Sequence, residues 1–107
     1  MAICALTNSS GYFQATTDVP YVCPVGKQAW IKTIVAVNED AVGHWFEIRL
    51  NNGSVAVLIS TVAQPIAAGA RYSDTDQHAF YAGNQIEVIA DAADLVSYFI
   101  SVIEEPV

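Results

Sequence analysis

Asp74-Thr75-Asp76-Gln77-His78 is the stretch of this 107-residue chain whose residue types and spacing best suggest metal chemistry. In an extended strand, residues i, i+2 and i+4 share a face, so Asp74, Asp76 and His78 would present two carboxylates and an imidazole side by side, a donor set suited to a divalent cation. A solvated polar strand face is written in the same letters, and no distant fourth ligand can be picked out. No metal and no cofactor are therefore expected. His44 and His78 are the only histidines. Neither comes with a nucleophile context such as G-x-S-x-G, so nothing local supports triad chemistry, and no enzyme is expected. Glu39-Asp40 and Glu104-Glu105 read as a turn and a tail, where adjacent carboxylates diverge and stay solvated. Gly26-Lys27 lacks the rest of a phosphate loop and its following helix, and reads as a turn entering a strand. Trp30, Trp45 and the tyrosines could form a platform for stacking sugar rings. The competing reading is that the same aromatics meet another protein.

The balance of charge narrows the partners. Four Lys and Arg against eleven Asp and Glu leave a net charge of −7, which repels phosphate backbones and anionic membranes alike. No nucleic-acid or membrane partner is expected. With 53% hydrophobic and 14% charged residues, residues 1–107 read as a single domain. No apolar run reaches membrane-spanning length, and MAICALTNSSG lacks the basic region of a secretory signal, so the chain is expected to be made in a cytoplasm and not exported by itself. Cys4 and Cys23 are too few for a disulfide framework and lack zinc-ligand spacing. Two buried free thiols are expected, with a Cys4–Cys23 bridge left open for assembly under oxidising conditions.

The elements that would position these residues are strands. Apolar residues recur with a period near two, and no long segment keeps a 3.6 period. Seven or eight short strands, with turn signals about every 8 to 12 residues, predict an all-β chain: an antiparallel β-sandwich of jelly-roll type. Over 27–38, alternation sets Ala29, Ile31, Thr33, Val35 and Val37 against Gln28, Trp30, Lys32, Ile34 and Ala36, and the first set is expected to face the core. Over 44–51, Phe46, Ile48 and Leu50 alternate with Trp45, Glu47 and Arg49, as in a strand with one wet face. Asn51-Asn52-Gly53-Ser54 predicts a tight turn that returns the next strand antiparallel. Residues 55–60 read as a strand buried on both sides, 71–81 as a longer polar one, and 95–103 as the last. Near the front, 12–16 and 19–23 read as strands, the latter confined to an edge by Pro20 and Pro24.

Trp30, Ile34, Trp45, Phe99 and Ile103 fall on the phase opposite the expected core. Bulky apolar groups left outside a core usually meet another protein, so these five are the candidate interface. Pro106 and Val107 would lie beyond the last strand as an arm or a frayed end.

The turn residues also carry a resemblance. Val22-Cys23-Pro24-Val25-Gly26-Lys27-Gln28-Ala29-Trp30-Ile31, followed by Ile34-Val35-Ala36-Val37-Asn38, resembles V-x-P-x-G-K-x-A-x-I and I-V-V-x-N in small structural proteins of tailed-bacteriophage virions. Pro65-Ile66-Ala67-Ala68-Gly69 and Tyr81-Ala82-Gly83-Asn84-Gln85-Ile86 are similar to further turns of that family, Asn84 standing where Asp is usual. Cys23 and Trp30 stand where the family has smaller residues. The resemblance implies a non-enzymatic β-sandwich component of the virion, assembled in the bacterial cytoplasm. Three placements follow from it: capsid decoration or cement, neck or collar, and tail fibre or baseplate. A 107-residue chain without a fibre shaft favours decoration. It would be a homo-oligomer, dimer or trimer, bound to the major capsid protein or another virion protein. A carbohydrate-binding receptor-recognition module is the alternative.

Overall fold

The computed structural model describes residues 5–75 and 78–107 and is built of strands throughout. These are β1 (Ala5–Tyr12), β2 (Asp18–Val22), β3 (Lys27–Asn38), β4 (His44–Asn51), β5 (Ala56–Leu58), β6 (Gln64–Ile66), β7 (Arg71–Asp74), β8 (Ala79–Tyr81), β9 (Gln85–Ala90) and β10 (Val96–Pro106). All pairings are antiparallel. One sheet, A, runs β1-β10-β3 and then β7 with β8, both laid along β3; the other, B, runs β2-β9-β4 and then β5 with β6, both laid along β4. Counting each split pair as one position gives eight positions in two four-position sheets, with the chain crossing repeatedly between them. That is the jelly roll the turn spacing predicts.

The split of β5 from β6 has a local cause. Between β5 and β6 the chain bends over β4: Ser60 Oγ accepts from the Ile48 N–H at 3.0 Å, and Ala63 turns with a φ of 43°. The segment read as buried on both sides is therefore a short rim strand, with Val57 57% exposed. At the 51–54 turn the expectation holds: Gly53 has a φ of 94°, and Asn51 pairs with Ala56.

The inner faces close on Phe13, Phe46, Phe80, Ile31, Ile48, Ile86, Ile100, Val88 and Val102. Phe13 packs against Phe46 at 5.2 Å and edge-on to Tyr98 at 5.3 Å. Burying each such side chain contributes about 1.5–3 kcal/mol. Gly11 pairs with Tyr98 across β1 and β10, and a Cβ there would lie 3.1 Å from the Tyr98 hydroxyl.

One irregularity resets half of β3. Its partner β10 keeps strict alternation, but Val102 pairs with Ile31 and Ser101 with Thr33, so Lys32 is an extra residue in β3. Such a bulge reverses which residues face inward beyond it. Ala29 and Ile31 face the core before the bulge; Ile34, Ala36 and Asn38 do so after it. Ile34 is 0% exposed and is core, not interface, while Val35 and Val37 turn outward, half-buried.

The ends also differ from expectation. The first strand is β1, ending at Tyr12. β10 continues through Glu104, Glu105 and Pro106, and the Val107 N–H donates to the Gly26 carbonyl at 3.0 Å, so the terminus is pinned.

Candidate functional site

The register of sheet A sets its outer face in transverse rows, two with large apolar residues separated by a polar row of Asn8, Ser101 and Thr33. Leu6 pairs with Ile103, Ile103 with Trp30 and Trp30 with Ala79; two rows on, Ser10, Phe99, Val35 and Ser73 follow one another; a further row holds Tyr12, Ser97, Val37 and Arg71. Trp30, Phe99 and Ile103 thus share one surface, and Trp30 and Ile103 are direct cross-strand partners. Leu6 is 57% exposed and Phe99 41%. Among the described residues Lys32, Arg71 and Glu105 are charges on this face and Glu39 reaches its edge at Tyr12, so most of the carboxylates that give the chain its net charge stand elsewhere. Leu6, Val35 and Val37 were not among the residues expected here. The bulge hid the two valines, and β1 is too polar to show a period.

Trp45 takes another place. It stands half-buried on the outer face of sheet B, paired with Pro65. The two tryptophans therefore lie on opposite sides of the sandwich and do not combine into one stacking platform. Across β4 and β9 sheet B's outer face carries a polar network, with apolar Val22, Leu58 and Ile89 beside it. Glu47 accepts from the Arg49 guanidinium and from the Ala63 N–H at 2.8 Å; Glu87 accepts from Asn51 at 3.0 Å and Gln85 at 2.8 Å.

Of the adjacent carboxylates, Glu39 stays exposed, whereas Asp40 and Glu104 are held by partners. Glu39 accepts from the Tyr12 hydroxyl at 3.2 Å, a bond that raises the Tyr12 pKa. His44 is clasped between Asp40, 2.8 Å from Nε2, and Asp91, 3.0 Å from Nδ1. The hydrogen bonds to Asp40 and Asp91 hold the imidazole pKa above its ordinary value, and the same contact lowers that of Asp40. Buried Glu104 of sheet A accepts from the Tyr21 hydroxyl of sheet B, with Lys27 Nζ 3.7 Å away. Burial, and next the bond to Glu104, push the Tyr21 phenol far up, so it remains a donor. Cys23 is a free thiol, 1% exposed, its pKa raised by burial; Cys4 lies outside the described residues. Of the candidate metal ligands, His78 Nε2 lies 3.4 Å from Asp74 Oδ2, and Asp76 lies outside the described residues. Among the described residues no pocket and no metal-ligating cluster is found.

No family model matches the chain, and no curated protein matches it. Solved structures do. One, from Bacillus endospore appendages described as a novel family of disulfide-linked pili, has a TM-score of 0.62 at 13% identity, covering 99% of this chain and 88% of its own. Another, from the acidic stable capsid of Helicobacter pylori bacteriophage KHP30, has a TM-score of 0.55 at 8% identity, covering 98% of this chain and 93% of its own. At such identities the likeness is one of fold. The chain has an all-β sandwich whose structural neighbours are pilus and phage capsid proteins.

Proposed function

We propose that this chain is a non-enzymatic structural protein of a phage particle, a decoration or cement subunit that lays the outer face of sheet A on its neighbours in the capsid shell. The observation that carries this reading is the gathering of Leu6, Trp30, Val35, Phe99 and Ile103 on one surface. Apolar aromatic centres of this kind supply most of the energy of protein interfaces. The likeness to a phage capsid structure across 98% of the chain supports the same setting. Many copies binding only the assembled shell would stabilise it by mass action, each contributing a modest energy. Because this face is charge-poor, its partner is selected by apolar fit.

The test mixes purified protein with undecorated shells and, separately, with glycans. Saturable binding to shells that Trp30→Ala weakens, without glycan binding, is the expected result. Glycan binding without shell binding would replace this reading with receptor recognition.

A second reading is favoured by the pilus likeness, which spans 99% of the chain: subunits that polymerise into a fibre. Burial of Cys23 counts against a cross-link through that thiol, which requires the end of β2 to open, and Cys4 lies outside the described residues. Electron microscopy of the purified protein under oxidising conditions separates the two, fibres against dispersed particles.

A further inference from the structure

The four sheet edges are not equally protected. β5, β6, β7 and β8 are each three or four residues long; β2 carries Pro20 and an irregular register between Asp18 and Tyr21. Short strands, prolines and irregular register are the usual defences against edge pairing. β1 has none of them. It is eight residues long with unbroken register on β10, and it contains neither proline nor charge. Among the described residues it pairs with β10 alone.

The direction of its backbone groups follows from one bond. The Phe13 N–H donates to the Val96 carbonyl at 2.8 Å, which makes 13/96 a hydrogen-bonded pair. Alternation then gives 11/98, 9/100 and 7/102 the same role and leaves Leu6, Asn8, Ser10 and Tyr12 with N–H and C=O pointing away from the sheet, the Tyr12 carbonyl accepting from Gln14 Nε2 at 3.2 Å. Tyr12 is 43% exposed, and with Leu6 it brackets the strand.

We propose that β1 is a self-docking edge, through which two copies of this chain join by antiparallel β1–β1 pairing about a twofold axis at Ser9. This register matches all four outward residues: Leu6 meets Tyr12 of the second copy, and Asn8 meets its Ser10. Apolar lies on apolar and amide on hydroxyl, from both sides at once, as an isologous contact requires. Charge points the same way. Two copies at −7 repel wherever carboxylates face each other, and the residues of β1 carry none, Glu39 reaching only the Tyr12 hydroxyl at the strand's end. Pairing would join two A sheets into one and bring their apolar outer faces into a single surface. The contact is independent of what that surface binds.

Light scattering coupled to size exclusion, and cysteine cross-linking, test it. The wild-type chain is expected to run as a dimer and Asn8→Pro at half that mass, because the Asn8 N–H makes no bond to β10 and proline there spares the fold's own ladder. In a Cys4→Ser, Cys23→Ala background, Ser9→Cys exchanges the hydroxyl that donates to the Pro20 carbonyl at 3.1 Å for a thiol. That variant brings two thiols across the axis on the core side, with Cα atoms about 4.5 Å apart, within disulfide range. It should link on mild oxidation. Thr7→Cys, roughly 13 Å from its own copy, should not. A wild-type monomer at the highest soluble concentration overturns the proposal. So does a dimer that persists in Asn8→Pro, or readier linkage through Thr7→Cys. Should Asn8→Pro lower the melting temperature, the cysteine pair decides alone. A dimer that ignores shells would sink the shell reading and leave this one; a monomer that binds shells would do the reverse.

Discussion

The outer faces of the two sheets are made by the same alternation of side chains, yet they are finished differently. On sheet B, Glu47, Arg49, Asn51, Gln85 and Glu87 satisfy one another across β4 and β9. On sheet A, apolar Leu6, Trp30, Val35, Phe99 and Ile103 occupy outward positions, Leu6 and Phe99 exposed and the other three half-buried. A hydrogen-bonded face is complete in water, since its groups exchange one polar partner for another at little net energy. An apolar face gains only when something covers it. The difference separates a face that serves the fold from one that serves a contact, and mutations should divide accordingly.

The largest effect is expected on sheet A. Trp30→Ala should weaken shell binding by about 2–4 kcal/mol, roughly 30- to 1,000-fold, if Trp30 is the anchor of its row. The unfolding midpoint should barely move, because Trp30 lies outside the core. A titration of shells beside a thermal melt reads both. Equal losses in the two would place Trp30 in the fold and erase the contrast between the faces. Tyr21→Phe, beneath these faces, should do the opposite. It removes the hydroxyl bonded to Glu104 and leaves a buried carboxylate with Lys27 alone, costing about 1.5–3 kcal/mol of stability in urea unfolding without altering shell affinity. Smaller again is Glu47→Ala on sheet B, at about 1 kcal/mol, since Arg49 and Ala63 are open enough for water to replace the lost acceptor. Loss of shell binding in Glu47→Ala would mean that sheet B also makes contacts.

What could be read from sequence was what is local. Phe46 and Ile48 face the core as their alternation demands, and Asn52-Gly53 makes the turn its chemistry allows. Ile34 was misread because the bulge at Lys32 is set by the pairing of β3 with β10, about seventy positions away, and nothing near Lys32 announces it. β1 escaped because its core-side residues, Thr7, Ser9 and Gly11, are small and polar, so it has no apolar period. Gly11 is there to admit Tyr98, a contact visible only once the strands are paired. Three of the five candidate interface residues still came together on one face, since β10 keeps its alternation throughout and the first half of β3 precedes the bulge. Trp45 obeyed its own alternation too, but sequence gives no means of telling which of two sheets a strand will join.

The last expectation concerns the clasp of His44 by Asp40 and Asp91, which ties the β3–β4 loop to the β9–β10 loop beside Trp45, at one end of the sandwich. Both ring nitrogens face carboxylates, so the folded state favours imidazolium, and the His44 pKa rises above its ordinary 6.5. A base whose folded pKa is raised contributes stability that is fully present below the unfolded value and is lost as pH rises through the folded one. The Asp40 pKa is lowered from 3.8, so its contribution is present above that value and lost as pH falls through the folded one. The melting temperature should therefore be highest on a plateau between the two and decline on the alkaline side through the His44 titration. His44→Gln keeps a side-chain donor but cannot titrate. It should flatten the alkaline limb and leave the acid limb in place, where the other carboxylates still protonate. An alkaline decline that survives in His44→Gln would assign it to another group and leave His44 a neutral imidazole that donates to one carboxylate. If shell affinity kept its value across the same pH range while the melting temperature fell, the polar end of the molecule would be shown to act on the fold alone, as the contrast between the faces requires.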